Sequence, residues 1–248
     1  MSSHLGPIHY KMFERILATQ ALGNRILRDQ PHILQTLDQH LAPIDGSQPL
    51  DALIDQANIH GWLQACVDRV EARLAFAAQQ TPDAADLFYQ AGYETRQAQL
   101  AAGASENFAT AREVFLAIND LLLDGMPCDG ALAAQMDEDG SVYLIQRLDV
   151  HEPFWNNPLE INPDDSLDNT CEGKHEHHHD HNDEQIVHLE AAGEEELAAL
   201  KESAKGQLKL KPFQLMRYYW LNGFLHGSSC GVKALGATDL MIYRREEH

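Results

Sequence analysis

Ser141-Val142-Tyr143-Leu144-Ile145-Gln146-Arg147-Leu148-Asp149-Val150 is the clearest place in this 248-residue chain where the hydrophobic period changes. Val142, Leu144, Gln146, Leu148 and Val150 alternate with their neighbours, and a period of two is that of a strand with one buried face. The turn Asp137-Glu138-Asp139-Gly140 precedes it. Near the C-terminus, Thr238 to Arg244 carries Leu240, Ile242 and the β-favouring Tyr243. Two strands in a helical chain would most economically pair with each other. The expected fold is therefore mainly α, an α+β chain whose β part is a small antiparallel two-stranded element, built as a helical bundle-like single domain over residues 1–248.

Upstream of that stretch the apolar spacing is three and four. Ile8, Met12 and Ile16 predict a helix from Pro7 to about Leu27, and Pro31 opens a second, short one. Leu50, Leu53, Ile54, Ala57, Leu63, Val67, Val70 and Leu74 trace one stripe, which predicts a single long helix with a face to bury. Thr81-Pro82-Asp83 reads as a helix start capped by the threonine oxygen, and Ser105 as the cap of the next helix. Downstream, Pro153 to Asp183 is rich in Asn, Asp and His without apolar periodicity, and reads as an inserted, flexible, acidic and His-rich loop. Glu184 to Lys205 favours helix by composition, and Pro212 opens a last helix.

Charge and cysteine usage narrow the function. Acidic residues outnumber basic ones 38 to 18, giving a formal charge of −20. Such a surface repels phosphate backbones and anionic lipid, so nucleic acid and membrane are poor partners and metal cations better ones. The four cysteines, Cys66, Cys128, Cys171 and Cys230, are far apart with no Cys-x-x-Cys pair. That spacing suits reduced thiols in a cytoplasmic protein, and no span has the roughly 20 apolar residues of a membrane helix.

The densest chemistry is His175-Glu176-His177-His178-His179-Asp180-His181, five imidazoles in seven residues with carboxylates between them. Imidazole nitrogen suits zinc best among the expected divalent ions, with nickel or iron as alternatives, and neighbouring carboxylates favour cation capture. A solvated polar loop would have the same composition. His181, Glu184 and His188 have helix-face spacing and suggest a second anchor at the loop's edge.

Inside the predicted helices, His9 shares a row with Phe13 and Ile16, and His60 with Leu63 and Val67, so both imidazoles are expected to point inward. Cys128 lies in the turn Gly125-Met126-Pro127-Cys128-Asp129-Gly130. A new helix beginning at Asp129 would lower its pKa through the helix dipole. These residues, with His151 and His226, are the candidate internal metal ligands, and Cys128 with His60 the candidate nucleophile and base. Cys66, on the apolar stripe, reads as inert core. Leu215, Tyr219, Asn222 and His226 form one helical row, and with Trp220 they suggest an aromatic small-molecule pocket, though core packing explains the same residues.

Three functions follow. The first is a metal-binding protein or metal-dependent enzyme whose loop recruits the ion. The second is a helical binding or chaperone-like module using Tyr219, Trp220 and His226. The third is a metal-free hydrolase or transferase using Cys128. No Gly-x-Gly-x-x-Gly or Walker loop is present.

Overall fold

The computed structural model describes residues 5–168, 187–191, 193, 195, 198–200 and 209–246. The described chain forms two compact units. The first is made of the described residues within 5–82, 120–129 and 150–168, and the second of those within 83–119, 130–149 and 187–246.

The first unit is helical. Helix α1 runs Pro7–Ile26, α2 Pro31–His40, α3 Leu50–Leu53 and α4 Ile59–Gln80. The long helix expected over the Leu50 to Leu74 stripe is thus two helices. Asp55 Oδ1 accepts the amide of Ala57, Ile54 is extended, and Asn58 Oδ1 accepts the amide of Gly61 at 3.1 Å. These side chains cap a fresh helix N-terminus, and an apolar stripe does not register the break. The consequence for function is that His60 lies in the first turn of α4. The core joins Met12, Phe13 and Ile16 of α1 to Leu63, Cys66, Val67 and Val70 of α4, with Leu123 and Met126 of the 120–129 segment. Arg73 of α4, almost fully buried, donates to the Leu41 carbonyl, to Asn24 at 2.9 Å and to Asp38 at 2.7 Å. It ties α1 and α2 to α4. Thr81 does not cap the following helix; its hydroxyl accepts from Gln30 at 2.9 Å.

Within the stretch read as a loop from Pro153, helix α7 (Glu152–Asn156) buries Phe154 and Trp155, and Pro163–Asp168 forms a 3-10 turn. The turn rests on α4: Asn58 Nδ2 donates to the Leu167 carbonyl at 2.7 Å, and the Ser166 hydroxyl donates to Asp68. The histidines 175, 177, 178, 179 and 181 lie outside the described residues, as does Glu184.

The second unit corrects the expected fold class. Its strands are β1 (Leu132–Met136), β2 (Val142–Gln146), β3 (Leu189–Ala191), β4 (Cys230–Ala234) and β5 (Leu240–Arg244). Among the described residues they form one five-stranded mixed sheet in the order β3-β1-β2-β5-β4. The terminal strand does pair with β2, Val142 opposite Ile242, but this ladder is one of four, and β1 pairs with β3 in parallel. Leu132-Ala133-Ala134-Gln135-Met136 and Leu189-Glu190-Ala191 have helix-favouring composition, so their strand state is imposed by neighbours rather than by propensity. The alternation was also misleading. Tyr143 and Ile145, assigned to solvent by the period of two, are as buried as Val142 and Leu144, whereas Leu148 is 54 % exposed beyond the strand's end. A sheet covered on both faces writes a continuous apolar run, not an alternating one.

Helix α5 (Ala84–Ala101) crosses α8 (Pro212–Phe224), and α6 (Ala111–Asn119) packs against β2 and β5. The cap of α6 is Thr110, whose hydroxyl accepts the Glu113 amide while Glu113 accepts the Ala109 amide; Ser105 is not used for it. No helix among the described residues is long and apolar enough to cross a membrane.

Candidate active site on helix α4

Four polar residues recur along one side of α4 at spacings of four, four and three: His60, Gln64, Asp68 and Glu71. Such spacing places them in one row of an otherwise apolar helix. His60, Asp68 and Glu71 each meet a polar partner brought by a later segment of the first unit, and Gln64 donates to Asp68 within the row.

At the N-terminal end of the row, His60 Nε2 lies 3.0 Å from Cys128 Sγ. Both side chains are partly exposed, so a molecule from solvent has access to them. Burial lowers the His60 pKa below 6.5, and the nearby Asp129 carboxylate opposes that shift. The ring is therefore neutral at pH 7. With its proton on Nδ1, it accepts from the thiol at Nε2.

Cys128 is held by its turn rather than by a helix. The helix expected from Asp129 is absent: Pro127–Asp129 is a single 3-10 turn that leads into β1, so no helix dipole acts on the thiol. The turn closes on itself, because Asp129 Oδ2 accepts the Met126 amide at 2.8 Å and the Asp129 amide donates to the Met126 carbonyl at 2.9 Å. Gly125 has φ +69°, and a Cβ there would lie 2.6 Å from Asp129 Oδ2. Glycine is required at that corner.

Mid-row, Asp68 accepts from Gln64 at 2.8 Å and from Ser166. Burial raises its pKa, the bonds from Ser166 and Gln64 pull it down, and the Glu71 and Asp129 charges raise it further. At the far end, Glu71 Oε2 is 3.1 Å from His151 Nδ1, and His151 Nε2 is 3.2 Å from Asp124 Oδ1. His151 is 1 % exposed. Its burial works against the charged ring, yet the two carboxylates outweigh burial and raise its pKa. Both ring nitrogens face carboxylates, an arrangement that favours the charged ring. Buried Arg15 adds a second cation near Asp124, its own pKa drawn down to about 10 by burial, with Asp120 and Asp124 opposing.

The five residues expected to share an internal metal site are thus differently placed. His60 and Cys128 are brought together. His9 Nδ1 accepts the Gly6 amide at 2.8 Å and caps α1. His151 offers both ring nitrogens to carboxylates, as protonated histidine does. His226 belongs to the second unit, where its Nδ1 is 2.6 Å from the Tyr89 hydroxyl and its ring meets Tyr93 edge-on. Among the described residues, no group of three or more His, Cys, Asp or Glu side chains is arranged to hold a metal ion.

The aromatic row of α8 is also divided among separate partners. Trp220 stacks on Phe224 at 5.3 Å, Tyr219 meets Tyr218, and His226, past the helix end, meets Tyr89 and Tyr93. His188 precedes β3 and is exposed, so the helical spacing argued for it does not apply. Cys66 is 4 % exposed, and burial pushes its thiol up to about 12.

Glu71, Asp68 and Asp124 were not singled out from the sequence. The first two have a signal in their helical spacing from His60; Asp124 has none, because it faces His151 only through the fold. Comparison with family models, with curated proteins and with solved structures finds no match.

Proposed function

We propose that this protein is a cysteine-dependent acyl hydrolase or transferase, with Cys128 as nucleophile and His60 as its base. The observation that carries the reading is the 3.0 Å approach of His60 Nε2 to Cys128 Sγ at a partly exposed position. Cys128 Sγ attacks an acyl carbon while its proton passes to His60 Nε2. The S–C bond forms, the bond to the leaving group breaks, and His60 returns the proton to that group. Water or a second acceptor then releases the acyl group and restores the thiol. The Asp129 carboxylate favours the imidazolium during the step. Treatment with p-nitrophenyl acetate tests this: p-nitrophenol release should match an acetyl group on the Cys128 peptide, vanish in Cys128→Ser and slow roughly a hundredfold in His60→Ala. Acetylation of Cys128 no faster than that of N-acetylcysteine, and indifferent to His60, would exclude it.

A second reading is metal capture by His175, His177, His178, His179 and His181, with zinc favoured over nickel or iron. Its support is the density of imidazole and carboxylate in that segment. Elemental analysis of protein purified without a metal-affinity column should find bound metal, and deletion of residues 175–181 should lower its stoichiometry. We also place the protein in the cytoplasm; the described cysteines, Cys66, Cys128 and Cys230, form no disulfide, which is in keeping with a reducing compartment.

A further inference from the structure

We infer that His151 is a positioning residue for the Cys128–His60 pair, bridging the segment that carries the nucleophile to the helix that carries the base through Asp124 on one side and Glu71 on the other. The inference rests on the thiol reading above. Its geometry is a chain of short links within the first unit. Glu71 and His60 share α4 and its polar row. Asp124 stands four residues before Cys128, joined through the Gly125 corner to a turn that Asp129 closes on the Met126 amide. A shift of Asp124 therefore reaches Sγ through the Gly125 corner and that closed turn. His151 lies between the two, 3.1 Å from Glu71 and 3.2 Å from Asp124, with almost no exposed surface. Two buried carboxylates facing each other across that gap would repel without the ring's charge.

Other charges around the bridge are Arg15, which acts on Asp124 and bonds Asp120, and Asp68, which acts on Glu71. Leu123 and Met126 also anchor the same segment through the apolar core. Packing alone would keep the segment folded, so stability does not distinguish the roles. The reactivity of Cys128 does. A displacement of about 1 Å is enough to cost a reacting pair on the order of a hundredfold.

The test is the rate of iodoacetamide alkylation at pH 7, read peptide by peptide by mass spectrometry on the full-length chain. Wild type is compared with His60→Ala, His151→Gln, His151→Lys and Asp124→Asn, circular dichroism confirming the fold. Asp124→Asn keeps an acceptor oxygen and guards against loss of folding in His151→Gln. The expected result is that His151→Gln and Asp124→Asn lower Cys128 alkylation to the His60→Ala rate, at least about tenfold below wild type. His151→Lys, which returns a cation to the gap, should recover part of it. Unchanged alkylation in folded His151→Gln and Asp124→Asn, with His60→Ala slowed, would overturn the bridge and leave the thiol reading standing. No recovery with lysine would overturn the charge-held bridge. An unaltered rate in His60→Ala would overturn the thiol reading, and this inference with it.

Discussion

Replacing Gly223 with alanine puts a number on the crossing of α5 and α8, the helix pair of the second unit. An ideal Cβ at 223 would lie 1.9 Å from the Tyr89 carbonyl oxygen and 3.0 Å from the Tyr93 amide nitrogen, and one at Gly92 would lie 1.9 Å from the Trp220 carbonyl oxygen. The obstacles are backbone atoms, which no rotamer change removes. To reach ordinary contact near 3.4 Å, the helices must separate by roughly 1.5 Å. A gap of even 0.5 to 1 Å forfeits about a quarter to a half of each dispersion contact. The loss falls on Phe88 and Phe224, both buried, and on the Phe108–Phe224 stack at 6.0 Å. Overpacking of this kind costs about 1 to 3 kcal/mol or more. In an open helix the same change would gain about 1 kcal/mol, since alanine is the better helix former. The steric cost is expected to prevail, so Gly223→Ala should lower the urea midpoint, with Gly92→Ala doing the same. The double variant should lose less than the sum, because one separation relieves both clashes. A midpoint unchanged or raised in Gly223→Ala would refute the close crossing.

Arg73→Met should destabilise by about 1 to 3 kcal/mol in urea, because it strands the buried Leu41 carbonyl; a loss below about 1 kcal/mol would contradict the role of the guanidinium as a tie. His151 gives a pH dependence of definite sign. Its folded pKa is raised above 6.5, so its contribution to stability is complete below 6.5 and is lost as pH rises through the higher folded value. Thermal melts across pH 6 to 9 should show this fall in wild type and lack it in His151→Gln. Cys66, buried with its thiol pushed up to about 12, should resist alkylation until the protein unfolds; labelling in folded protein at the rate of Cys128 would count against that burial.

How far the fold can be read from the sequence depends on which forces fix each element. Helix α1 follows from its own residues: Pro7 in the first turn and an apolar repeat through Ile16. The Leu50 to Leu74 stripe located the buried face correctly but hid a break written in polar side chains, at Asp55 and Asn58, which periodicity ignores. The sheet was least legible. Only β2 and β5 have β-favouring composition, while β1, β3 and β4 are Ala-, Glu-, Gly- and Lys-containing segments whose state is set by their partners across the ladder.

The candidate site divides similarly. His60 and Cys128 stand out by residue type and by position near breaks, and their approach is now geometric. Their expected company does not join them: His9 is satisfied locally as a cap, and His151 is held by two carboxylates. Residue type alone does not separate a ligand histidine from a charged buried one. The deciding partners, Glu71 and Asp124, are 80 and 27 residues away from His151.

The most direct test of the Cys128–His60 pair is a nitrogen-15 NMR titration of the His60 ring in wild type and in Cys128→Ala. With the thiol donating to Nε2, the ring should titrate below 6.5 in wild type, and its pKa should move up when the donor is removed. A ring that titrates at or above 6.5 and does not respond to Cys128→Ala would contradict the pair, and the proposed chemistry with it.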